Sequence, residues 1–168
     1  MTFSLTVLGS SSALPTSSRY PTAHLLNANE RFFLIDCGEG TQIQLRKYKI
    51  KLSKINHIFI SHLHGDHYYG LFGLISSLSL LGRTNDLNIY AHPDLEEILN
   101  FQLKFYDLGF NLQFHAIQDK FAGILFEDKH IMVSTFPLKH RIASNGFIFN
   151  EKQKERNLIK DLIPYYQL

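Results

Sequence analysis

The sequence predicts an α/β fold, a mixed β-sheet with helices packed on its outside. Three observations point there. Strand-like and helix-like segments alternate through the first two thirds of the chain, and a run of strand-like segments follows. The densest cluster of chemistry-bearing side chains lies where a β-branched strand gives way to a helix. At 168 residues the chain has the length of one domain, enough to bury roughly 70% of its unfolded surface. A single domain over residues 1–168 is expected.

Phe3–Leu8 alternates and reads as a strand, followed by a Ser-, Gly- and Pro-rich loop over Gly9–Ser18. Ala23–Asn27 and Arg31–Ile35 read as a hairpin around Asn27-Ala28-Asn29-Glu30. Gly38-Glu39-Gly40 interrupts the chain before Thr41–Tyr48, which has helical spacing. Ile55–Ile60 is a β-branched strand, and Tyr69–Leu81 is a helix apolar on most sides and so expected to be buried. Leu87–Tyr90 reads as a strand, and Pro93 suits the first turn of a helix running to about Tyr106. Leu112–Ile117, Gly123–Glu127, Ile131–Phe136 and Gly146–Phe149 read as strands.

Composition excludes several classes. Hydrophobic residues make up 45% and charged residues 19%, a globular balance. No apolar run approaches the roughly 18 residues of a membrane span, and Met1–Gly9 lacks the basic start and apolar middle of a signal peptide. No membrane partner is expected. Cys37 is the sole cysteine, which forbids an internal disulfide and fits a reducing, cytoplasmic location. A formal net charge of +2 neither requires nor forbids a nucleic-acid partner.

The sharpest signal is Ser61-His62-Leu63-His64-Gly65-Asp66-His67. His62 and His64 are two apart in an extended segment, so both imidazoles can point the same way and suit one zinc ion. Asp66 and His67 begin the following helix and suit a second ion a few ångströms away. Gly65 permits the tight turn between the pairs. A lone histidine is usually structural, whereas four ligand-type residues within six positions after a buried strand point to metal.

This motif resembles the signature of the metallo-β-lactamase superfamily. Further segments, in order, resemble ribonuclease Z: Leu8-Gly9-Ser10-Ser11-Ser12-Ala13-Leu14-Pro15-Thr16, Ile35-Asp36-Cys37-Gly38-Glu39-Gly40-Thr41-Gln42, Leu71-Phe72-Gly73-Leu74, and Pro137-Leu138-Lys139-His140-Arg141-Ile142 with Gly146-Phe147. The likeness runs from about residue 5 to residue 160. It implies the superfamily's αββα sandwich, with this chain supplying mainly the first half.

The resemblance also implies a site. His62, His64 and His140 would hold one zinc; Asp66 and His67 would hold a second, with Asp66 also the catalytic proton acceptor. Asp36 and Glu39 would support the ligands, and Asp36 would orient a metal histidine. Hydroxide generated at the zincs would cut precursor tRNA after the mature 3′ end, leaving a 3′-hydroxyl on the tRNA. The family likeness implies a homodimer. Manganese, cobalt or iron would suit the same ligands as zinc.

Zinc wants about four ligands, and this sequence offers three for the first ion and two for the second. The family's bridging aspartate and last histidine would come from a later segment, and the superfamily's second set of strands is expected to be missing. The expected reading is therefore a chain truncated on its carboxy-terminal side, with a degenerate product or a second, complementing chain as alternatives. Alone it should hold the second metal weakly and show little nuclease activity.

Two basic groups are candidates for RNA phosphates: Arg46, Lys47, Lys49, Lys51 and Lys54, and Lys152, Lys154, Arg156 and Lys160. Ser10, Ser11 and Ser12 are candidates to meet the nucleotides flanking the cut. Cys37 is expected in the core below the site, and His57 at the surface or in a polar pocket. The rival functions are another hydrolase of this fold, phosphodiesterase or arylsulfatase-like, and an inactive half-domain that needs a partner chain.

Overall fold

The computed structural model describes residues 2–153. Lys154, Arg156 and Lys160 lie outside the described residues. The elements run β1 (Phe3–Gly9), β2 (Ala23–Ala28), β3 (Arg31–Ile35), α1 (Thr41–Lys47), β4 (Ile55–Phe59), α2 (Gly65–Tyr68), α3 (Gly70–Leu80), β5 (Leu87–Ala91), α4 (Asp94–Leu103), β6 (Leu112–Ala116), β7 (Gly123–Glu127), β8 (Ile131–Pro137) and β9 (Asn145–Glu151). A six-stranded sheet has the order β1-β2-β3-β4-β5-β6, and a three-stranded sheet the order β7-β8-β9.

The first sheet is mixed, as expected. β1, β2 and β3 pair antiparallel, whereas β3, β4, β5 and β6 run parallel. The β2–β3 turn is made by Asn29 and Glu30, at φ 54° and 66°, the two left-handed residues that a twisted hairpin favours. Each parallel step crosses over through helix: α1 between β3 and β4, α2 and α3 between β4 and β5, α4 between β5 and β6.

Both faces of the first sheet are covered, which is why its central strands read as continuous apolar runs. On β3, Phe32 and Leu34 join the helix-side core, while Phe33 joins the core facing the second sheet. Ile58 and Ile60 take the helix side and Phe59 the other; Ile89 and Ala91 take the helix side and Tyr90 the other. The helices meet this sheet through Leu45 of α1, Leu71, Leu74, Ile75 and Leu78 of α3, and Leu95, Leu99 and Leu103 of α4.

One expectation is corrected. The second set of strands is not missing: β7, β8 and β9 form an antiparallel layer that buries Ile131 and Val133 against Leu26, Ala28, Phe33, Phe59 and Tyr90. The sequence estimate failed because it weighed chain length, whereas three short strands suffice to cover the middle of the inner face. They do not cover its margin: Phe3, Leu5 and Val7 on edge strand β1 stay exposed.

His57, expected at the surface or in a polar pocket, lines a pocket with Glu30, Arg31, Lys54, Asn56 and Asp128. Its ring lies between the sheets, 4.3 Å from Phe126 and 5.4 Å from Phe33 between centroids, with Nδ1 3.2 Å from the Tyr90 hydroxyl. Burial pushes its pKa down to about 4. No helix among the described residues is long and apolar enough to cross a membrane.

Candidate metal centre and its cleft

The site lies at the carboxyl ends of the parallel strands β3 and β4, where open α/β sheets place their ligands. β4 ends at Phe59, and Ser61 to His64 cross its tip before α2 starts at Gly65. His140 arrives from the β8–β9 connection. That loop is fastened to the tip of β4, because the Asn145 amide donates to the Ser61 carbonyl (2.9 Å) and the Leu138 amide to the Ser144 carbonyl (2.8 Å).

Three imidazoles converge. His64 Nδ1 lies 3.0 Å from His62 Nε2 and 3.2 Å from His140 Nε2. The His62, His64 and His140 donor atoms all fall within 4.8 Å of one another. One ring nitrogen has one lone pair or one proton, so His64 Nδ1 cannot satisfy both neighbours as a strong hydrogen bond. A shared cation can: zinc–nitrogen bonds of 2.0–2.1 Å put tetrahedral ligands about 3.3 Å apart. Burial, then the neighbouring His67, pushes the His62 pKa down to about 4, so that its ring is neutral and its lone pair free near pH 7.

Asp66 and His67 flank this triad on α2. His67 Nε2 lies 3.6 Å from Asp66 Oδ2, and its ring centroid is 3.8 Å from that of His62. Asp36 holds His67 from behind. Its Oδ2 accepts from His67 Nδ1 at 2.8 Å and from the Ser61 hydroxyl at 3.1 Å, and its Oδ1 accepts from the Ser61 amide at 2.8 Å. Asp36, expected to orient a metal histidine, is hydrogen-bonded to His67. Asp36 is buried and sits at φ 57°, a left-handed conformation that aspartate tolerates better than most residues.

The strand end Asp36-Cys37-Gly38 lies directly beneath the metal loop. The Cys37 amide donates to the His67 carbonyl (2.7 Å), and the Gly70 amide to the Cys37 carbonyl (2.9 Å). A Cβ on Gly70 would stand 2.0 Å from the Gly38 carbonyl oxygen, so only glycine fits this crossing. Cys37 is wholly buried, burial raises its thiol pKa to about 12, and it stands outside the group formed by His62, His64 and His140.

Above the histidines opens a cleft of about 610 Å³. Glu39, Asp66 and His67 line it together with Ser12, Pro15, Tyr69 and Arg141. Glu39 is exposed to it. Of the three candidate serines, Ser12 lines the cleft; Ser11 turns its hydroxyl to the Leu14 carbonyl (2.7 Å), and Ser10 is exposed outside the lining. Lys152 lies at the other end of β9 and pairs with Glu127 at 2.5 Å. Sequence reasoning passed over Ser61, Tyr69 and Arg141 as site residues, although Ser61 and Arg141 adjoin singled-out ligands and Tyr69 lies two residues from His67; nothing in their spacing says which way they point.

Two layers of strand, outer helices and a histidine–carboxylate pocket at the strand ends define a metallo-β-lactamase-fold protein. The likeness to solved structures agrees. The short form of human tRNase Z superposes with a TM-score of 0.81 at 34% identity, covering 88% of this chain and 64% of that one. The metallo-β-lactamase fold protein YhfI of Bacillus subtilis, at 20% identity, matches in fold with a TM-score of 0.68, covering 96% of this chain and 66% of that one. Residues 3–153 match the family model described as Anti-Pycsar protein Apyc1, and the chain belongs to that family.

The curated relatives carry the name the sequence motifs suggested. Ribonuclease Z of Bacteroides thetaiotaomicron is 46% identical over 168 residues, covering 99% of this chain and 53% of that protein. Ribonuclease Z of Bacteroides fragilis is 45% identical, covering 99% and 55%. The chain spans about half the length of the curated relatives it matches, a coverage that fits their amino-terminal part.

Proposed function

We propose that this chain carries the zinc-binding part of an endoribonuclease that removes the 3′ trailer of precursor tRNA. The observation that carries the reading is the approach of His62 Nε2 and His140 Nε2 to the single nitrogen His64 Nδ1, beside Asp66 and the Asp36-braced His67. The ribonuclease Z relatives supply the substrate class.

Zinc, when bound, supplies Lewis acidity toward phosphate oxygens and brings the ionisation of water toward neutral pH. His62, His64 and His140 would hold one ion; Asp66 and His67 would contribute to a second. The Asp66 carboxylate would take up the proton of the attacking water; the bond from phosphorus to the tRNA 3′ oxygen breaks, that oxygen takes the proton back from Asp66 and leaves as the 3′-hydroxyl, and the phosphate stays on the 5′ end of the trailer. Asp36 keeps the proton of His67 on Nδ1, so that Nε2 presents its lone pair to the cleft. Glu39 and Ser12 stand at the cleft for the nucleotides beside the cut. We read residues 1–168 as one domain, working in the cytoplasm as a homodimer.

A second reading is favoured by one observation: the matching family model bears the name Anti-Pycsar protein Apyc1 rather than ribonuclease Z. On that reading the site is a phosphodiesterase of the same fold acting on a different phosphodiester. The zinc-loaded chain, alone and co-expressed with the carboxy-terminal half of the Bacteroides thetaiotaomicron relative, is assayed on precursor tRNA, bis(p-nitrophenyl) phosphate and nitrocefin. Cleavage of precursor tRNA at the mature 3′ end by the co-expressed pair supports the ribonuclease. Hydrolysis of the small diester with precursor tRNA left intact turns the assignment to the second reading. Full turnover by the chain alone overturns the expectation that its second metal position is weak.

A further inference from the structure

The cleft above the histidines carries a feature that metal chemistry does not use. Tyr69 is 58% exposed and lines the cleft beside the metal loop. Its ring lies over Gly65, four residues earlier and on the same helical face: a Cβ at Gly65 would stand 2.2 Å from the Tyr69 ring. The ring therefore occupies the space that any other residue at position 65 would fill.

The backbone that carries the ring is anchored on both sides. The Tyr69 amide donates to the Gly65 carbonyl at 2.9 Å, and the next residue, Gly70, is locked against Cys37 and Gly38. The Tyr68 ring meets it edge-on at 5.0 Å between centroids. Ala13, Pro15 and Pro21 add apolar lining to a cleft whose floor is polar. Arg141, adjacent to the ligand His140, lines the same cleft, and its guanidinium makes no hydrogen bond or ion pair among the described residues.

A fixed, exposed aromatic face beside a phosphodiester-cleaving centre is what an unpaired base requires. Stacking is indifferent to base identity, because every base has a π-face, and base–aromatic stacking is worth about fivefold to more than a hundredfold in affinity per base. A duplex does not offer that face. The geometry points to Tyr69 as the positioning residue for the substrate: an unpaired nucleotide next to the scissile phosphate stacks its base on the Tyr69 ring, while Arg141 meets an adjacent backbone phosphate. The inference rests on the ribonuclease reading and adds to it the residue that receives the unpaired base beside the cut.

The test is a binding cycle. The zinc-loaded full chain is titrated, by fluorescence anisotropy, with an acceptor-stem minihelix bearing a single-stranded 3′ tail. The same RNA is made abasic at each of the two nucleotides flanking the cut in turn. With wild-type protein and with Tyr69→Phe, one of the two abasic RNAs binds about tenfold more weakly than the intact RNA. With Tyr69→Leu, which keeps an apolar side chain without a π-face, the same change costs less than twofold. Equal zinc stoichiometry and far-UV circular dichroism across the variants keep a folding defect from mimicking the result. An abasic penalty as large in Tyr69→Leu as in wild type overturns the stacking role while leaving the ribonuclease reading standing. Failure of wild-type protein to bind the intact minihelix overturns the stacking role, while the cleavage assay of the co-expressed pair decides the ribonuclease reading.

Discussion

Asp36 Oδ2 and His67 Nδ1 are joined by a 2.8 Å hydrogen bond between the end of β3 and helix α2. The carboxylate can only accept, so the bond assigns the His67 proton to Nδ1 and leaves Nε2 on the cleft side. The same carboxylate also fastens the amide and hydroxyl of Ser61. One buried acid thus sets both a ligand's tautomer and the path of the loop that carries the others.

Asp36→Asn is expected to weaken binding of the second metal by about 10–100-fold, the usual effect of losing a partner behind a ligand, while the first metal stays bound. Asp36→Ala goes further, because it leaves the Ser61 amide without its acceptor, at a cost of about 1–3 kcal/mol. Zinc competition against a chromophoric chelator reads the first effect and urea unfolding the second. Unchanged metal affinity in both variants would remove the bracing role.

His140→Ala takes one of three imidazoles from the converging set. Because His140 is exposed and belongs to neither core, the metal-free protein should unfold within about 0.5 kcal/mol of wild type. Its affinity for the first zinc should fall by more than the 10–100-fold of an outer partner. Equal loss from His130→Ala, a histidine in the turn before β8, would show the effect to be nonspecific.

His57 supplies a pH dependence that is independent of metal. Burial holds its folded pKa at about 4 against a usual 6.5. Between those values the unfolded chain binds the extra proton, so stability is fully present above pH 6.5 and is lost as pH falls toward 4. The span is worth up to about 3 kcal/mol. In metal-free protein, His57→Phe should flatten the fall of the urea midpoint between pH 7 and pH 4.5. Parallel curves for variant and wild type would assign the acid sensitivity to other groups.

Gly70→Ala puts a methyl group 2.0 Å from the Gly38 carbonyl oxygen, where both sides are backbone and neither can rotate away. The metal loop and the strand end must then separate. A loss of about 1–3 kcal/mol, accompanied by weaker zinc binding, is expected from thermal unfolding and metal titration. Gly82→Ala is the contrast. Nothing lies within 4 Å of its Cβ position, yet its φ of 74° strains alanine by about 1–2 kcal/mol; it should therefore cost stability without disturbing zinc.

Helix and strand positions were legible where periodicity or β-branching was strong: β3, β4, β7 and α1 fall within a residue or two of the segments read from sequence. The helix expected to begin at Tyr69 instead starts at Gly65 and breaks between α2 and α3. Glycines at 65 and 70 hid that turn, since they read as loop; Gly70 is packed against Gly38, and Gly65 lies under the Tyr69 ring. The helix through Tyr106 stops at Leu103, which is its last buried residue, and Lys104 to Tyr106 are exposed.

The amino-acid sequence by itself determined the class of chemistry. His62, His64, Asp66 and His67 lie within six positions, and a strand running into a helix delivers them together whatever the rest of the chain does. It also determined the α/β alternation, because apolar periodicity is a local property. Tertiary structure alone decided that His140, 76 residues beyond His64, stands against His62 and His64, that Asp36 hydrogen-bonds His67, and that β7–β9 cover the inner face of the first sheet. The physical reason is range. Local patterns are set by residues a few positions apart, whereas convergence on one ion depends on how two sheets pack and on one amide, that of Asn145, finding the carbonyl of Ser61.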